Sequence, residues 1–173
     1  MSRRLNILTE ATFENLVRVH QGAIRNFLRR LTRETAMADD LAQKSFLKAF
    51  QERKTLRDIK AAKAWLFQIA YRTFVDDIRK ESRRRGLADG HSLDGILNGE
   101  TPAAPDGLKM DISRAMDSLP AECRAVVILC MAHGMSHTEA ARATGLPLGT
   151  VKSHALRGRD KLRAFLSAYE TVK

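Results

Sequence analysis

Two cysteines and two histidines are the side chains whose types most directly suggest metal or redox chemistry. Cys123 and Cys130 lie seven residues apart, a spacing that places both on one face of a helix rather than in a CxxC motif. We predict that they are buried structural thiols. A zinc site that also uses His133 or His137 is the alternative, but the paired close spacings of structural zinc sites are missing from the sequence.

Two adjacent carboxylates, Asp76 and Asp77, are the next candidates for catalysis. Neighbours on a helix point about 100° apart, which does not suit two carboxylates that share a pair of metal ions. The sequence also contains neither a GxxxxGK[ST] phosphate loop nor an HExxH motif. We therefore predict a protein without catalytic activity, cofactor or metal.

The basic segment TVKSHALRGRDKLRAFL, which starts at Thr150, offers a different chemistry. Val151, Ala155, Leu162 and Leu166 can form the buried face of a helix there. The remaining faces carry donors suited to phosphates and to guanine, although charged residues on a helix are often only solvated surface. The residues predicted to contact DNA are Thr150, Lys152, Ser153, His154, Arg157 and Arg159.

The elements that precede this segment predict how it is positioned. A helix over 121–132 ends at Gly134, Ser136 and Glu139 form a capping box for a short helix, and the residues 145–149 form a turn. This order is typical of a helix-turn-helix, whose second helix enters the major groove of DNA.

The N-terminal half predicts a bundle of three amphipathic helices. Apolar residues recur at steps of three and four over about 12–32, 37–52 and 60–83, with Thr12 as the N-cap of the first helix. Asp39 and Asp40 favour the N-terminal end of the second helix. Strand patterns are missing, so the predicted fold class is all-α, with two small helical domains.

Charge separates the two domains. The chain of 173 residues has a net charge of +10, with 20 basic and 10 acidic residues over 1–86, 2 and 6 over 87–118, and 8 and 4 over 119–173. We predict a domain over 1–86, a flexible acidic linker over 87–108 and a domain over 109–173. The basic domains indicate a polyanionic partner, and the sequence has neither a membrane span nor a signal peptide, so we expect a cytoplasmic protein.

The C-terminal domain resembles the sigma-4 domain of extracytoplasmic-function sigma factors. The resemblance lies in Leu119-Pro120 and in the stretch Gly149–Arg159, and the family often has arginine where this chain has His154. It implies binding to the minus-thirty-five promoter element and to the flap of the polymerase beta subunit. LuxR-type response regulators end in a similar helix-turn-helix.

The N-terminal domain resembles the sigma-2 domain of the same family. The segment Ala38–Phe50 is similar to the signature that binds the clamp helices of the polymerase beta-prime subunit, although Lys44 replaces a frequent acidic residue. The resemblance and the helical spacing assign polymerase binding to Asp39, Asp40, Gln43, Phe46 and Leu47.

The segment Ala64–Lys80 is similar to the family's W-L-x-x-I-A-x-x-x-x-x-D-x-x-R pattern, which implies capture of the melted minus-ten strand. Trp65 is more simply explained as core. Basic residues would contact phosphates, and two aromatic rings would stack on bases. The predicted minus-ten residues are Arg57, Lys60, Lys63, Phe67, Tyr71, Arg72, Arg79, Lys80 and Arg83.

The two resemblances in this order identify the chain as a member of the extracytoplasmic-function sigma factors. They imply that the chain directs RNA polymerase to promoters and helps to melt them, with core RNA polymerase, promoter DNA and an anti-sigma factor as partners. The segments 38–50 and 55–79 are most similar to the iron-starvation branch, which suggests a regulon that responds to stress, metal or iron. The rival interpretations are a dimeric transcriptional regulator and a small nucleic-acid enzyme.

Overall fold

The computed structural model describes residues 9–86 and 107–170, and every regular element in these two ranges is a helix. The N-terminal domain has three long helices, with two short 3₁₀ turns between the second and the third. The C-terminal domain has four helices, of which the second continues as a π-helical turn. The elements are α1 (Glu10–Thr32), α2 (Thr35–Glu52), the 3₁₀ turns Arg53–Thr55 and Ile59–Ala61, α3 (Ala62–Arg84), α4 (Gly107–Asp117), α5 (Ala121–Val127) with the π turn Ile128–Ala132, α6 (His137–Thr144) and α7 (Leu148–Glu170).

Local sequence explains where the first helices begin and end. Thr9, not Thr12, is the N-cap of α1, and its side-chain oxygen accepts a hydrogen bond from the backbone N–H of Thr12 at 3.3 Å. Helix α2 begins at Thr35, so Asp39 and Asp40 lie beyond its first turn. The helix dipole acts mainly within the first turn. The prediction that these two carboxylates stabilise the N-terminal end of the dipole is therefore wrong.

The core of the N-terminal domain forms where α1, α2 and α3 pack together. The rings of Phe27 and Phe67 meet edge to face with centroids 5.3 Å apart, and Leu28, Leu41 and Phe74 are fully buried around them. Each helix contributes apolar residues at the spacing that the sequence predicts, and this periodicity produces the bundle.

The C-terminal domain confirms the predicted capping box. The Ser136 side chain accepts a hydrogen bond from the Glu139 N–H at 3.2 Å, and the Glu139 carboxylate accepts one from the Ser136 N–H at 2.8 Å. Gly145 ends α6 in the left-handed conformation. Helix α7 begins at Leu148, so the turn is shorter than the predicted 145–149 and Thr150 lies in the first turn of the helix.

The two domains pack directly on each other, chiefly α3 on α6, with α1 against α5 and its π turn. We call this contact the domain interface. The predicted linker lies outside the described residues, apart from its last two positions, which begin α4. The residues of the domain interface used below are Leu31, Arg33, Lys63 and Phe67 on the N-terminal side and Asp117, Arg124 and His133 on the C-terminal side.

Gly158 allows α7 to approach α5 closely. A Cβ atom at this position would lie 2.0 Å from Cγ2 of Val127 and 3.7 Å from Cδ1 of Leu119. We expect Gly158→Ala to lower the free energy of unfolding by about 1–2 kcal/mol, since overpacking costs more than the helix propensity that alanine gains.

Denaturant unfolding of two further variants checks this prediction. Gly22→Ala on α1 is the control, because a Cβ atom there meets nothing within 4 Å, and it should stabilise the protein. Adding Val127→Ala to Gly158→Ala should recover part of the loss. A Gly158→Ala protein as stable as Gly22→Ala would contradict the close approach.

Candidate nucleic-acid and protein interfaces

The residues predicted to bind polymerase lie together along α2, and we call them the α2 ridge. Asp40, Gln43 and Leu47 recur at steps of three and four and are exposed, and the Leu47 side chain keeps 60% of its surface accessible. Asp39 and Phe46 are half-buried at the edges of the ridge, and Phe46 also packs against the core. The ridge therefore presents one large apolar side chain between polar groups.

The carboxylate of Asp39 is held by α1. Its Oδ1 atom lies 3.5 Å from Nη2 of Arg29 and 4.0 Å from Nε of Arg25. These ion pairs are partly exposed and contribute little to stability, but they fix the direction of the carboxylate.

Lys44, which departs from the acidic residue frequent in the family, links α2 to α3. Its ammonium lies 2.6 Å from Oδ2 of Asp40 and 3.2 Å from Oδ1 of Asp77. The hydrogen bond to Asp40 is the main reason why the pKa of Lys44 is raised, and Asp77 adds to the effect. Asp76 in turn pairs with Lys48 at 3.6 Å, so the two adjacent carboxylates hold α3 against α2.

An apolar groove next to the α2 ridge was missed by the sequence analysis. Phe13, Val17, Phe46 and Phe50 line it, and the rings of Phe13 and Phe50 meet edge to face at 5.4 Å. The guanidinium of Arg53 lies 4.0 Å from the centroid of the Phe50 ring. Phe46 and Phe50 are four residues apart and therefore share one face of α2. This spacing could have predicted an apolar surface next to the ridge.

Most of the predicted minus-ten residues are exposed cations, as phosphate contacts require. Lys63 differs, because it is half-buried and its ammonium donates a hydrogen bond to the backbone oxygen of His133. The exposed members are Arg57, Lys60, Arg72, Arg79, Lys80 and Arg83.

The two aromatic members of the minus-ten set need a correction. Phe67 is 0% exposed and packs against Phe27 and His133, and Tyr71 is buried with its ring 6.2 Å from that of Phe74. Neither ring presents a face to a base in this conformation. The reason is that the apolar face of α3 is wider than predicted and includes both of these rings.

The basic helix α7 presents three of its predicted DNA contacts to solvent. Lys152, Arg157 and Arg159 are exposed, whereas Thr150 and Ser153 are half-buried. Nη2 of Arg157 donates a hydrogen bond to Oγ of Ser153 at 2.8 Å, one helical turn away. A guanidinium oriented in this way can donate its remaining N–H groups to a base edge or to a phosphate.

His154 is also less exposed than the sequence analysis predicts. It is half-buried, and neither of its shielded ring nitrogens has a hydrogen-bond partner among the described residues. Burial lowers the pKa of His154, Arg157 lowers it further and Glu122 opposes them. His154 is therefore a half-buried side chain whose surroundings favour the neutral ring, and not an exposed side chain on the DNA-facing side.

Arg124 is a buried residue of the domain interface that the sequence analysis did not predict. The side chain is only 2% exposed, and its guanidinium donates to the backbone oxygens of Met116 at 3.1 Å, Leu119 at 3.0 Å and Leu31 at 3.3 Å. The oxygen of Leu31 belongs to the N-terminal domain, so one buried cation ties the domains together. Nothing in the local pattern distinguishes this arginine from an exposed one.

The candidate metal residues do not converge within the described ranges, where no group of three His, Cys, Asp or Glu side chains could hold an ion. Cys123 is buried and its thiol donates to the backbone oxygen of His154 at 3.4 Å. Cys130 is half-buried, and burial raises the pKa of its thiol. Neither cysteine forms a disulfide, and only Cys123 is buried as predicted for both.

None of the described helices combines the length and the apolar character needed to cross a membrane.

Three half-buried histidines predict how stability depends on pH. Burial lowers the pKa of His20, His133 and His154 from the ordinary 6.5, so the unfolded chain binds more protons below that value. We expect the free energy of unfolding to be nearly level above about pH 7.5 and to fall as the pH drops below 6.5 and through the lowered values. The cations that reinforce the effect are Lys63 beside His20 and His133, Arg30 beside His133, and Arg157 beside His154.

Thermal unfolding in buffers between about pH 5.5 and 8 measures this dependence. Replacing His133 and His154 with glutamine should flatten the curve. A melting temperature that rises on acidification would show that the histidines are not held in their neutral form.

Comparison with known proteins agrees with this two-domain arrangement. Residues 16–84 match the family model "Sigma-70 region 2", and residues 109–162 match "Sigma-70, region 4". The chain is 35% identical over 145 residues to the ECF RNA polymerase sigma factor EcfG of Rhodopseudomonas palustris, which covers 83% of this chain and 79% of that protein. It is 32% identical over 164 residues to the ECF RNA polymerase sigma factor SigE of Mycolicibacterium smegmatis, covering 92% of this chain but spanning only 63% of that relative.

Solved structures show the same fold. The sigma factor RpoE of Bartonella quintana, crystallised with the anti-sigma factor NepR, superposes with a TM-score of 0.72 at 29% identity over 90% of this chain and 96% of that one. CnrH, in complex with the cytosolic domain of CnrY, gives a TM-score of 0.63 at 24% identity over 94% of this chain and 92% of that one. The relatives are specificity subunits of RNA polymerase and not enzymes in their own right.

The two helical domains match regions 2 and 4 in that order, and a relative of similar length supports the match. The chain therefore belongs to the extracytoplasmic-function sigma factors, the alternative sigma factors of transcription initiation.

Proposed function

We propose that the two domains divide promoter recognition between them. The α2 ridge binds the clamp helices of the polymerase beta-prime subunit, and α7 enters the major groove of the minus-thirty-five element. The observation that carries the proposal is the exposure of Leu47, Gln43 and Asp40 on one domain and of Arg157 and Arg159 on the other. The flap of the polymerase beta subunit would then bind the C-terminal domain.

The minus-ten strand would contact the exposed cations of the N-terminal domain. Phosphate contacts by Arg57, Lys60, Arg72 and Arg79 orient the strand without reading its sequence. Stacking of a base on an aromatic ring contributes about 1–3 kcal/mol, comparable with the few kcal/mol needed to unstack it. Phe67 and Tyr71 are buried in this structure, so the support for the proposed minus-ten contact comes from the exposed cations.

An anti-sigma factor is the regulator that we propose, because the structurally similar sigma factor RpoE was crystallised with the anti-sigma factor NepR. We further propose that the protein acts in the cytoplasm. The iron-starvation branch, and a regulon that responds to stress, metal or iron, stay predictions that rest on the segments 38–50 and 55–79.

Run-off transcription with core RNA polymerase on genomic fragments tests the proposed function. Specific start sites that depend on the added protein would support it and would exclude both a nucleic-acid enzyme and a regulator that binds DNA without polymerase. Failure to associate with core enzyme, even in a preparation free of inhibitors, would overturn it.

The Arg157→Ala variant tests base recognition by α7. If the guanidinium reads a base, the variant should lose about 1–3 kcal/mol of discrimination between the cognate and a scrambled minus-thirty-five element. Transcription from the two templates, measured side by side, gives this difference. The control is Arg163→Ala, since Arg163 is also exposed but lies on α7 beyond the predicted DNA contacts. An equal loss on both templates would make Arg157 a phosphate contact.

A further inference from the structure

Leu156 is an apolar residue at the centre of the exposed face of α7. Its side chain keeps 51% of its surface accessible, more than Leu148 and Phe165, the other exposed large apolar residues described on this helix. Leu156 lies two residues before Gly158, which faces α5, and two residues turn a helix by about 200°. The leucine therefore points away from the rest of the C-terminal domain.

Exposed cations lie on both sides of Leu156. Lys152 is four residues before it and Arg159 three residues after it, so these side chains follow one another along one side of the helix. Arg157 lies on the other side, where its guanidinium donates a hydrogen bond to the Ser153 hydroxyl at 2.8 Å. An apolar side chain is thus surrounded by groups suited to a polyanion.

The acidic residue Asp160 on this face does not reverse its charge. Its Oδ1 atom lies 3.5 Å from Nε of Arg159, and the exposed cations of the face outnumber it. The face therefore complements DNA rather than an acidic or purely apolar protein surface.

The chemistry of leucine limits what it can contact in a major groove. A single exposed leucine is ordinary on a protein surface, but this one lies where the base edges would be. Its side chain neither donates nor accepts hydrogen bonds, so against a polar base edge it would displace water and leave the edge without a partner. The apolar group that base pairs present in the major groove is the C5 methyl group of thymine.

We propose that Leu156 reads a thymine of the minus-thirty-five element through the C5 methyl group of that base. This inference rests on the proposed function, since it requires α7 to lie in the major groove. The predicted DNA contacts of α7 are all polar, so Leu156 adds a position at which the helix selects for an apolar group.

Replacing thymidine with deoxyuridine removes this methyl group and keeps the base pair. The promoter identified by run-off transcription supplies the duplex, and each thymine of its minus-thirty-five element, on either strand, is replaced in turn. Binding is measured by competition for the complex of the full chain with core RNA polymerase. We expect one replacement to weaken binding about three- to tenfold, as the loss of one buried methyl group would produce.

The Leu156→Ala variant removes the reading group without changing a charge, and it should fold because the side chain is exposed. It should bind the thymine and the uracil duplex equally well, so the two changes are not additive. Leu156→Met keeps an apolar side chain of similar volume and should keep a preference for thymine. The control is Phe165→Ala, which removes an exposed apolar side chain of α7 beyond the predicted DNA contacts and should keep the whole preference.

Three results would overturn the inference. The first is a minus-thirty-five element in which no thymine is sensitive to uracil. The second is a Leu156→Ala variant that prefers thymine as strongly as the unmodified protein does. The third is a Leu156→Ala variant that binds core polymerase more weakly with an unchanged preference for thymine, which would assign Leu156 to a protein contact.

A scrambled minus-thirty-five element distinguishes this inference from the proposed function. If the unmodified complex binds the cognate and the scrambled element equally, base recognition by α7 fails, and the reading of thymine fails with it. If the complex prefers the cognate element but Leu156→Ala leaves the effect of uracil unchanged, only the role of Leu156 is overturned.

Discussion

The Leu47→Glu variant is expected to lose at least about 2 kcal/mol of binding free energy for core RNA polymerase, a weakening of roughly 30-fold or more. Leu47 is the most exposed large apolar side chain of the α2 ridge, and the proposed contact would remove it from water. A carboxylate at this position would be buried without a partner. Binding is measured by fluorescence anisotropy of the labelled chain titrated with core enzyme.

Controls separate this effect from unfolding. Val19→Glu makes the same chemical change at an equally exposed apolar residue on α1, away from the ridge, and should leave polymerase affinity unchanged. Asp40→Lys should also abolish co-purification while helical content stays intact, although it removes the ion pair with Lys44. Full affinity in both ridge variants would remove the assignment of the α2 ridge.

Loss of the Arg124 side chain should have the largest effect on stability. In Arg124→Met, four backbone oxygens lose the hydrogen bond that this guanidinium donates. The oxygens of Met116 and Asp117 keep another donor, and each acceptor left without a donor costs about 1–3 kcal/mol. Water that enters the space recovers part of this cost, so we expect a net loss of about 3 kcal/mol in the free energy of unfolding. Equilibrium denaturation by urea, monitored by circular dichroism, measures it.

The matched control for Arg124 is lysine. Arg124→Lys keeps the charge but replaces a planar group with five donors by one ammonium, so it should lose less stability than methionine does. Arg163→Met on α7 makes the same chemical change at an exposed arginine and should cost far less. An Arg124→Met protein within about 1 kcal/mol of the original would show that water replaces the guanidinium completely.

Helix positions and the division into domains follow from the sequence because both depend on local patterns. The periodicity of apolar residues predicts the ends of α1, α2 and α3 to within about three residues. The capping box of Ser136 and Glu139 is a purely local signal, and the structure confirms it. The resemblances to regions 2 and 4 depend on local segments and agree with the family models.

The exposure of individual site residues depends on which other element packs on them, and periodicity does not contain that information. Phe67 and Tyr71 face the core because α3 is covered on more than one side, by α1 and α2 and by α6. His154 is shielded although its neighbours Lys152 and Arg157 are exposed. Arg33 and Arg124 join the two domains through contacts that span 84 and 93 residues of sequence.

The position of His133 at the domain interface depends on one extra residue in the π-helical turn Ile128–Ala132. Its last bond runs from the N–H of His133 to the oxygen of Ile128, five residues back, so the turn contains one residue more than an α-helical turn would. Without that residue, the chain beyond would rotate by about 100°, and His133 would no longer meet Phe67. A one-residue deletion in this turn would therefore disturb both the domain interface and the packing of α7 on α5.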